Sequence, residues 1–414
     1  MQTKAVRMYA KCDLRLDTFE LPEIAEDEIL AEVLSDSICL STWKAAQQGT
    51  EHKRVPQDIA EHPVIVGHEF CGRIVKVGKK WQDKYQEGMR FAIQPNLNYK
   101  GSMASPGYAY RYVGGAATYV VLPQEVMLLD CLLPFDGDAY FLGSLAEPLS
   151  CIIGTFHAMY HTTNGVYEHQ MGIKDGGNLA LLASAGPMGL GAIDYALHCN
   201  PRPGTVVVTD IDEARLARAR SLYPEEAAAR QGVKLVYLNG PTDEELLAVT
   251  DGQGYDDVMV FAPVKGVIEQ ADRILGRDGC LNFFAGPSNK ELRAEVNFYN
   301  VHYGSTHLVG TSGGNTADMI EALDMMARGE LTPAGMVTHV GGLDATVEAT
   351  LNLPNIPGGK KLIYTHLSLP LTAVEDMPGN PDPLLARLGD IVAAHGNTWS
   401  AEAEAYLLEH GKQI

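Results

Sequence analysis

Positive charge is scarce in this chain: 32 Lys and Arg face 52 Asp and Glu across 414 residues, a net charge of −20. Such an excess repels polyanions and argues against nucleic acid or an anionic membrane as a partner. A small anionic substrate is not excluded, because a few local cations suffice to hold it. Long apolar runs are also missing, and none reaches the ~20 residues of a membrane-spanning helix. The N-terminal MQTKAVRMYAKCDLRLD carries charges where a secretion signal would be apolar. A soluble cytoplasmic protein is the expectation. Cysteine is sparse and scattered, at Cys12, Cys39, Cys71, Cys131, Cys151, Cys199 and Cys280. An odd number without clustered spacing argues against a disulfide framework and for reduced thiols. Against these absences stand an apolar content of 46% and a length that suits two domains.

The first 150 residues read as β-rich. AVRMYA, LRLDTFEL, ILAEVLSDSICL, CGRIVKVG, MRFAIQP and ATYVVLP are short runs bounded by Gly, Pro, Asp or Glu. From about residue 178 strands alternate with helices: NLALLAS, LGAIDYALHC, TVVVTD, DEARLARARSLY, VKLVYL, DDVMVFAP, KGVIEQADRIL and CLNFFAG. That alternation predicts an α/β domain, a parallel sheet covered by helices on both faces. It fades after residue 300. TADMIEALDMMARGE reads as a helix with Met319, Ile320, Leu323 and Met326 at helical spacing, a stripe expected in a core. The tail holds two amphipathic segments, LLARLGDIVAAH and SAEAEAYLLEH.

Ser184-Ala185-Gly186-Pro187-Met188-Gly189 follows an apolar strand and opens a helix. In that context a G-x-G-x-x-G pattern signals a dinucleotide. Gly186 lets the backbone approach a pyrophosphate, Gly189 allows close helix–strand packing, and the helix N-terminus offers free N–H groups. Ser184 replaces the first glycine. The next strand ends at Asp210, whose carboxylate suits ribose hydroxyls and repels a 2′-phosphate, favouring NAD(H) over NADP(H). Arg215 nearby keeps some NADP(H) tolerance open.

Three places in the first 150 residues carry metal-ligand side chains: Cys39 in SICLST, His68 and Glu69 in GHE, and Glu147 in AEP. Cys, His and a carboxylate with one open position form a catalytic zinc set. Taken singly, a lone Cys or His is more often a core residue. His62 reads as a surface residue, and Cys71 and Cys151 as packing thiols.

Gly67-His68-Glu69, Gly72 and Gly78 resemble the GHE-x₂-G-x₅-G signature of the zinc-containing medium-chain dehydrogenase/reductase family, with Trp81 in place of its final Val. GMRFAIQP, GGAATYVVLP and AEPLSC resemble further landmarks in family order, and the likeness runs to about Tyr364. The resemblance implies a GroES-like catalytic domain beginning in residues 1–150, a Rossmann NAD-binding domain over 151–300, and completion of the first in 301–414 with a helical extension. It implies Cys39 and His68 as zinc ligands, with Glu69 and Glu147 contending for the third place. Ser41 matches the residue that passes a proton from the substrate oxygen, and Lys44 falls where the relay ends; a solvated surface lysine is the alternative for Lys44. It also suggests a homodimer or homotetramer.

Thr42 occupies the position of the Asp that orients the ligating His. The segment 96–112, NLNYKGSMASPGYAYRY, lacks the cysteines of the family's structural zinc lobe, so one zinc ion is expected. His339 matches a histidine without catalytic consequence. The extension, with SICLSTWK and LAEPLSC, resembles the L-sorbose 1-phosphate reductase branch, which implies interconversion of L-sorbose 1-phosphate and D-glucitol 6-phosphate. A dehydrogenase of an unphosphorylated polyol or of L-threonine is the alternative. A zinc-free quinone or enone reductase on the same fold, and a non-catalytic sensor of NAD and sugar phosphate, are further rivals.

Overall fold

The structure, a computed structural model, describes residues 1–163 and 165–414. The chain divides into two compact units. One comprises Met1–Glu147, Met319–Gly329 and Pro333–Ile414, the other Pro148–Asp318 and Glu330–Thr332.

The first unit is built on β-strands. Its main sheet has eight strands, in the order Thr372–Ala373, Val337–Gly342, Lys360–Tyr364, Ile29–Ile38, Phe70–Val77, Arg90–Ile93 and Leu132–Pro134, with Tyr119–Leu122 also paired to Ile29–Ile38. Alternation in ILAEVLSDSI places Ile29, Ala31 and Val33 in a core with Phe70, Ile74 and Phe91. Ile29–Ile38 is thus a central strand, and its C-terminal end is held on both sides: Asp36 lies opposite Phe70 and Ile38 opposite Lys361. The six strands anticipated in the first 150 residues are all present, and the short strands Val64–Ile65 and Leu132–Pro134 add to them.

The two C-terminal amphipathic segments form the helices Pro383–Ala394 and Ala401–His410. They close a second core of this unit, in which Leu388, Trp399 and Leu407 meet Val340, Leu362 and Tyr364. Glu404 is 3% exposed and accepts hydrogen bonds from the backbone N–H groups of Tyr140 (2.5 Å) and Phe141 (2.8 Å) and from the Tyr364 hydroxyl (2.9 Å). The extension is therefore part of the unit's interior.

The second unit is a six-stranded, wholly parallel sheet in the order Lys234–Asn239, Thr205–Asp210, Asn178–Leu182, Tyr255–Val260, Leu275–Phe283 and His307–Gly310. Counting along the chain, that is the 3-2-1-4-5-6 order of a doubly wound sheet, with its crossover beside Asn178–Leu182. The α/β expectation holds. The helix Ala146–Ala158 was not anticipated, since AEPLSC reads only as a family landmark carrying a candidate ligand. Pro148 lies in its first turn, where a missing N–H costs nothing. In the helix Thr316–Ala327, Met319, Leu323 and Met326 are buried, whereas Ile320 is 44% exposed, so the expected apolar stripe is one residue narrower. All seven cysteines are free, and Cys71 is buried. Among the described residues no helix is long and apolar enough to cross a membrane.

Candidate active site

Cys39 stands at the hinge between the strand Ile29–Ile38 and the helix Leu40–Gln48. It is the helix N-cap in extended conformation, and its side chain makes no capping bond. Ser41 and Thr42 follow in the first helical turn. His68 and Glu69 immediately precede the strand Phe70–Val77, the antiparallel neighbour of Ile29–Ile38. Strand pairing thus brings the two motifs together. One ligand atom each from Cys39, His68 and Glu69 lie within 4.8 Å of one another.

The hydrogen bonds around the group are specific. Ser41 Oγ donates to Cys39 Sγ (3.0 Å) and lies 3.2 Å from His68 Nε2. His68 Nδ1 meets Thr42 Oγ1 at 3.2 Å, so Thr42 contacts the ring at the position expected of an orienting residue. The Tyr108 hydroxyl donates to Ser41 Oγ (2.9 Å) and is 3.4 Å from His68 Nε2. Lys360 Nζ donates to both oxygens of Glu69, at 2.6 and 2.7 Å, in an ion pair whose members are 6% and 1% exposed.

Burial, and next the Glu69 charge, push the Cys39 thiol up to about 12. Burial likewise lowers His68 to about 4, keeping its imidazole neutral with a lone pair to give. Burial works most strongly against ionisation of Glu69, but the ammonium of Lys360, the His68 ring and hydrogen bonds from Lys360 and Ser37 together hold the carboxyl below its ordinary range. Thiol, neutral imidazole and carboxylate are the donor set that suits Zn²⁺, and a cation among them would favour the thiolate. Glu147 lies outside the 4.8 Å group; its charge nonetheless reaches Cys39, Tyr108 and Lys360. Lys44 is one turn beyond Ser41 on the same helix and is partly buried.

In the second unit, the strand Asn178–Leu182 leads into the glycine-rich turn. Ser184 is fully buried and donates from Oγ to the Leu181 carbonyl at 2.8 Å, so the serine that replaces a glycine leaves no polar group unpaired. Gly186 is the N-cap of the helix Pro187–His198, with Pro187 at its first position and Met188 and Gly189 following. A Cβ on Gly189 would fall 1.6 Å from the Ser184 carbonyl oxygen, which forces glycine there. A Cβ on Gly186 would meet nothing within 4 Å, so the space above it is free for a ligand. Asp210 accepts from the N–H of Ala185 (3.1 Å) and of Asp212 (3.0 Å), tying the turn to the end of the second strand. Arg215 is exposed and ion-paired to Asp212 at 3.4 Å. The open Gly186, the helix N-terminus and Asp210 fit a dinucleotide.

Tyr108, Lys360 and Asp36 were not found by sequence reasoning. Asp36 is buried; burial and then the Glu69 charge raise its carboxyl well above the ordinary range, against the opposing influence of the nearby backbone N–H groups of Ser37 and Glu69. Lys360 lies 291 residues from Glu69, so no local pattern links them. Tyr108 belongs to the segment 96–112, which stood out only for its missing cysteines. A separate cavity of about 550 Å³ in the first unit, lined by His339, Glu348 and Asp376 among others, contains none of the clustered ligands.

Two family models match the chain: an alcohol dehydrogenase GroES-like domain over residues 25–131 and a zinc-binding dehydrogenase domain over residues 187–328. Full-length relatives add to this. A mannitol-1-phosphate 5-dehydrogenase from Aliivibrio fischeri is 53% identical, over 99% of this chain and 98% of the relative. An L-sorbose 1-phosphate reductase from Klebsiella pneumoniae is 51% identical, over 100% and 98%. The chain belongs to the zinc-containing medium-chain dehydrogenase family. As a member it is an oxidoreductase acting on a small molecule, with zinc and a nicotinamide cofactor. Among solved structures, 2R,3R-butanediol dehydrogenase from Bacillus subtilis has the same fold, with a TM-score of 0.69 and 20% identity over 87% of this chain and 99% of that one.

Proposed function

We propose that this dehydrogenase interconverts a secondary alcohol and a ketone on a polyol phosphate, with NAD(H) as the hydride carrier. The observation that carries the reading is Ser41 Oγ, 3.0 Å from Cys39 Sγ and 3.2 Å from His68 Nε2. It puts a proton-transferring hydroxyl between two metal donors, as alcohol oxidation requires. The activities for which the two relatives at 51% and 53% identity are named supply the substrate class. Within that class the substrate is L-sorbose 1-phosphate, reduced to D-glucitol 6-phosphate.

When bound, zinc supplies a Lewis acid for the substrate oxygen, and the nicotinamide supplies or accepts the hydride. Cys39, His68 and Glu69 would hold the single metal ion, with Glu69 preferred over Glu147 because it belongs to the close group. Lys360 keeps Glu69 ionised and immobile. Thr42 hydrogen-bonds to Nδ1 of His68, leaving Nε2 as the nitrogen that would bind the metal. During oxidation Ser41 accepts the proton of the substrate hydroxyl as it releases its own to water or to the neutral amine form of Lys44, and the transfers reverse during reduction. Tyr108, whose phenol burial keeps protonated, donates to Ser41 and orients its oxygen.

Ser184, Gly186, Pro187, Met188 and Gly189 would cradle the pyrophosphate. Asp210 would take the adenosine ribose hydroxyls, since each carboxylate oxygen keeps a lone pair beyond its backbone bond. We further infer a homodimer formed along the outermost strand His307–Gly310, on which Leu308 is 58% exposed.

The test is a turnover assay on zinc-quantified protein. L-sorbose 1-phosphate, D-mannitol 1-phosphate, free sorbitol, fructose and threonine are compared with NAD(H) and NADP(H). Turnover of a phosphorylated substrate with NAD(H) is expected to lead. Faster turnover of free sorbitol or threonine would overturn the phosphorylated reading, and no turnover at all would overturn the enzyme assignment.

A further inference from the structure

A chain of net charge −20 must concentrate cations wherever it accepts a phosphorylated substrate. Several arginines of the first unit are held by carboxylates, and Arg90 by the Gly137 carbonyl. Arg73 is bound to Glu32, Arg15 to Asp13, and Arg111 lies 3.7 Å from Asp58. Arg54 differs from these. It is partly buried, and among the described residues its polar partners are two neutral oxygens, Ser105 Oγ and Asn96 Oδ1, each at 3.4 Å. Contacts that long hold a guanidinium in place without using much of its hydrogen-bonding capacity.

Its position is the second observation. The guanidinium carbon of Arg54 lies 5.3 Å from the centroid of the Tyr108 ring. The hydroxyl of the same ring reaches Ser41 and His68. One aromatic side chain thus joins the metal-ligand group to an arginine that has no carboxylate partner among the described residues. His52 stacks on Tyr108, with centroids 5.7 Å apart and planes 10° from parallel, and the Lys53 ammonium is next in sequence. Burial, then Arg54 and Lys53, depress His52, as expected where positive charge accumulates. The cysteine-free segment 96–112 gains a use here, since Asn96, Ser105 and Tyr108 together place the arginine.

We propose that Arg54 is the specificity-determining residue that binds the phosphate group of the substrate, while the reacting carbon lies at Cys39, His68 and Ser41. The assignment rests on the proposed polyol phosphate activity. A planar guanidinium offers paired N–H donors to phosphate oxygens, and partial withdrawal from water strengthens that interaction. Tyr108 serves both ends, supporting the guanidinium with its face and Ser41 with its hydroxyl.

The experiment compares wild type, Arg54→Gln and Arg54→Lys as full-length, zinc-loaded enzymes on L-sorbose 1-phosphate and on L-sorbose. Arg54→Gln is expected to raise KM for the phosphorylated ketose on the order of 100-fold, with a much smaller change in kcat. The preference for phosphorylated over free sugar should fall by about the same factor, and Arg54→Lys should restore at least a tenth of it. An unchanged preference would overturn the assignment, and so would a parallel loss on both sugars, which marks a merely structural arginine. Calorimetric titration with inorganic phosphate separates this outcome from failure of the activity itself. Wild type should bind phosphate at least about tenfold more tightly than Arg54→Gln. Equal binding refutes the role of Arg54 whatever sugar is turned over.

Discussion

The two units hold their functional groups by opposite means. In the first, the site is made of side chains drawn from distant parts of the chain, and ionisable groups are buried to hold it. Glu69 and Lys360 are paired at 1% and 6% exposure, Asp36 is 1% exposed, and Cys39 and His68 are shifted by burial to about 12 and about 4. In the second unit the turn from Ser184 to Gly189 works with backbone N–H groups and open space, and its carboxylate, Asp210, is fixed by two backbone bonds. A side-chain site is sensitive to protons and metal. A backbone site within one strand–turn–helix is sensitive mainly to shape.

Removing the metal donors should break the comparison most sharply. Cys39→Ser or His68→Ala should abolish stoichiometric zinc and lower kcat/KM at least about 1,000-fold. NADH binding, followed by fluorescence titration, should stay within about twofold. Loss of cofactor binding in the same variants would show that the two sites are not separable in this way.

Lys360→Met tests the buried pair. It leaves the Glu69 carboxylate without its cation in a dry environment, and breaking a buried pair on one side costs about 3–5 kcal/mol. Chemical denaturation of the zinc-free protein should register that loss. The double variant Glu69→Gln/Lys360→Met should be more stable than Lys360→Met alone, because the orphaned charge is gone. Equal stability would mean that water already reaches the pair.

These expectations also explain what could be read in the sequence. The turn at 184–189 and Asp210 lie within 27 residues and one βαβ unit, so spacing alone placed them. Cys39 and His68 were legible through the resemblance of Gly67-His68-Glu69 and its neighbouring landmarks to the family pattern, which left Glu69 and Glu147 open; strand pairing is what brings Cys39, His68 and Glu69 together. Lys360 was not, since its partner is 291 residues away and nothing in Gly-Gly-Lys-Lys says which lysine turns inward. Tyr108 and Arg54 were missed for a related reason: their segments have no regular period, and only the folded loop stacks them. The tail was read as two helices but not as a core element, because the partners of Trp399 and Glu404 lie on strands far upstream.

Glu404 extends the buried-charge theme to the tail. Burial raises its carboxyl from an ordinary 4.5 to about 7, despite the N–H groups of Tyr140 and Phe141 that favour the anion. The native state therefore binds more protons than the unfolded chain between those values. The stability this contributes is present in full below about 4.5 and is lost as pH rises through about 7, by about 3 kcal/mol in total. Denaturation midpoints of Glu404→Gln should accordingly fall less steeply than wild type between pH 5 and 7.5. Identical slopes would show that the carboxyl ionises as it does in water.

The smallest effect is expected in the second unit, and it bears directly on the contrast. Asp210→Asn removes a charge and the acceptor for the Asp212 N–H but keeps an oxygen that can accept from the Ala185 N–H, so the turn should retain its shape. What it loses is the charge-assisted acceptor for ribose hydroxyls and the repulsion of a 2′-phosphate. NADH affinity should fall about tenfold, and the NADPH-to-NADH ratio of kcat/KM should rise by a comparable factor. Zinc content and the pH dependence of stability should remain those of wild type, because no buried ion pair is disturbed. A change in zinc occupancy would show that the metal group feels the nucleotide turn, and the contrast between side-chain and backbone sites would then fail as an account of how this enzyme is built. If the cofactor preference alone moves, Asp210 sets specificity by charge while Gly186 and Gly189 set the fit.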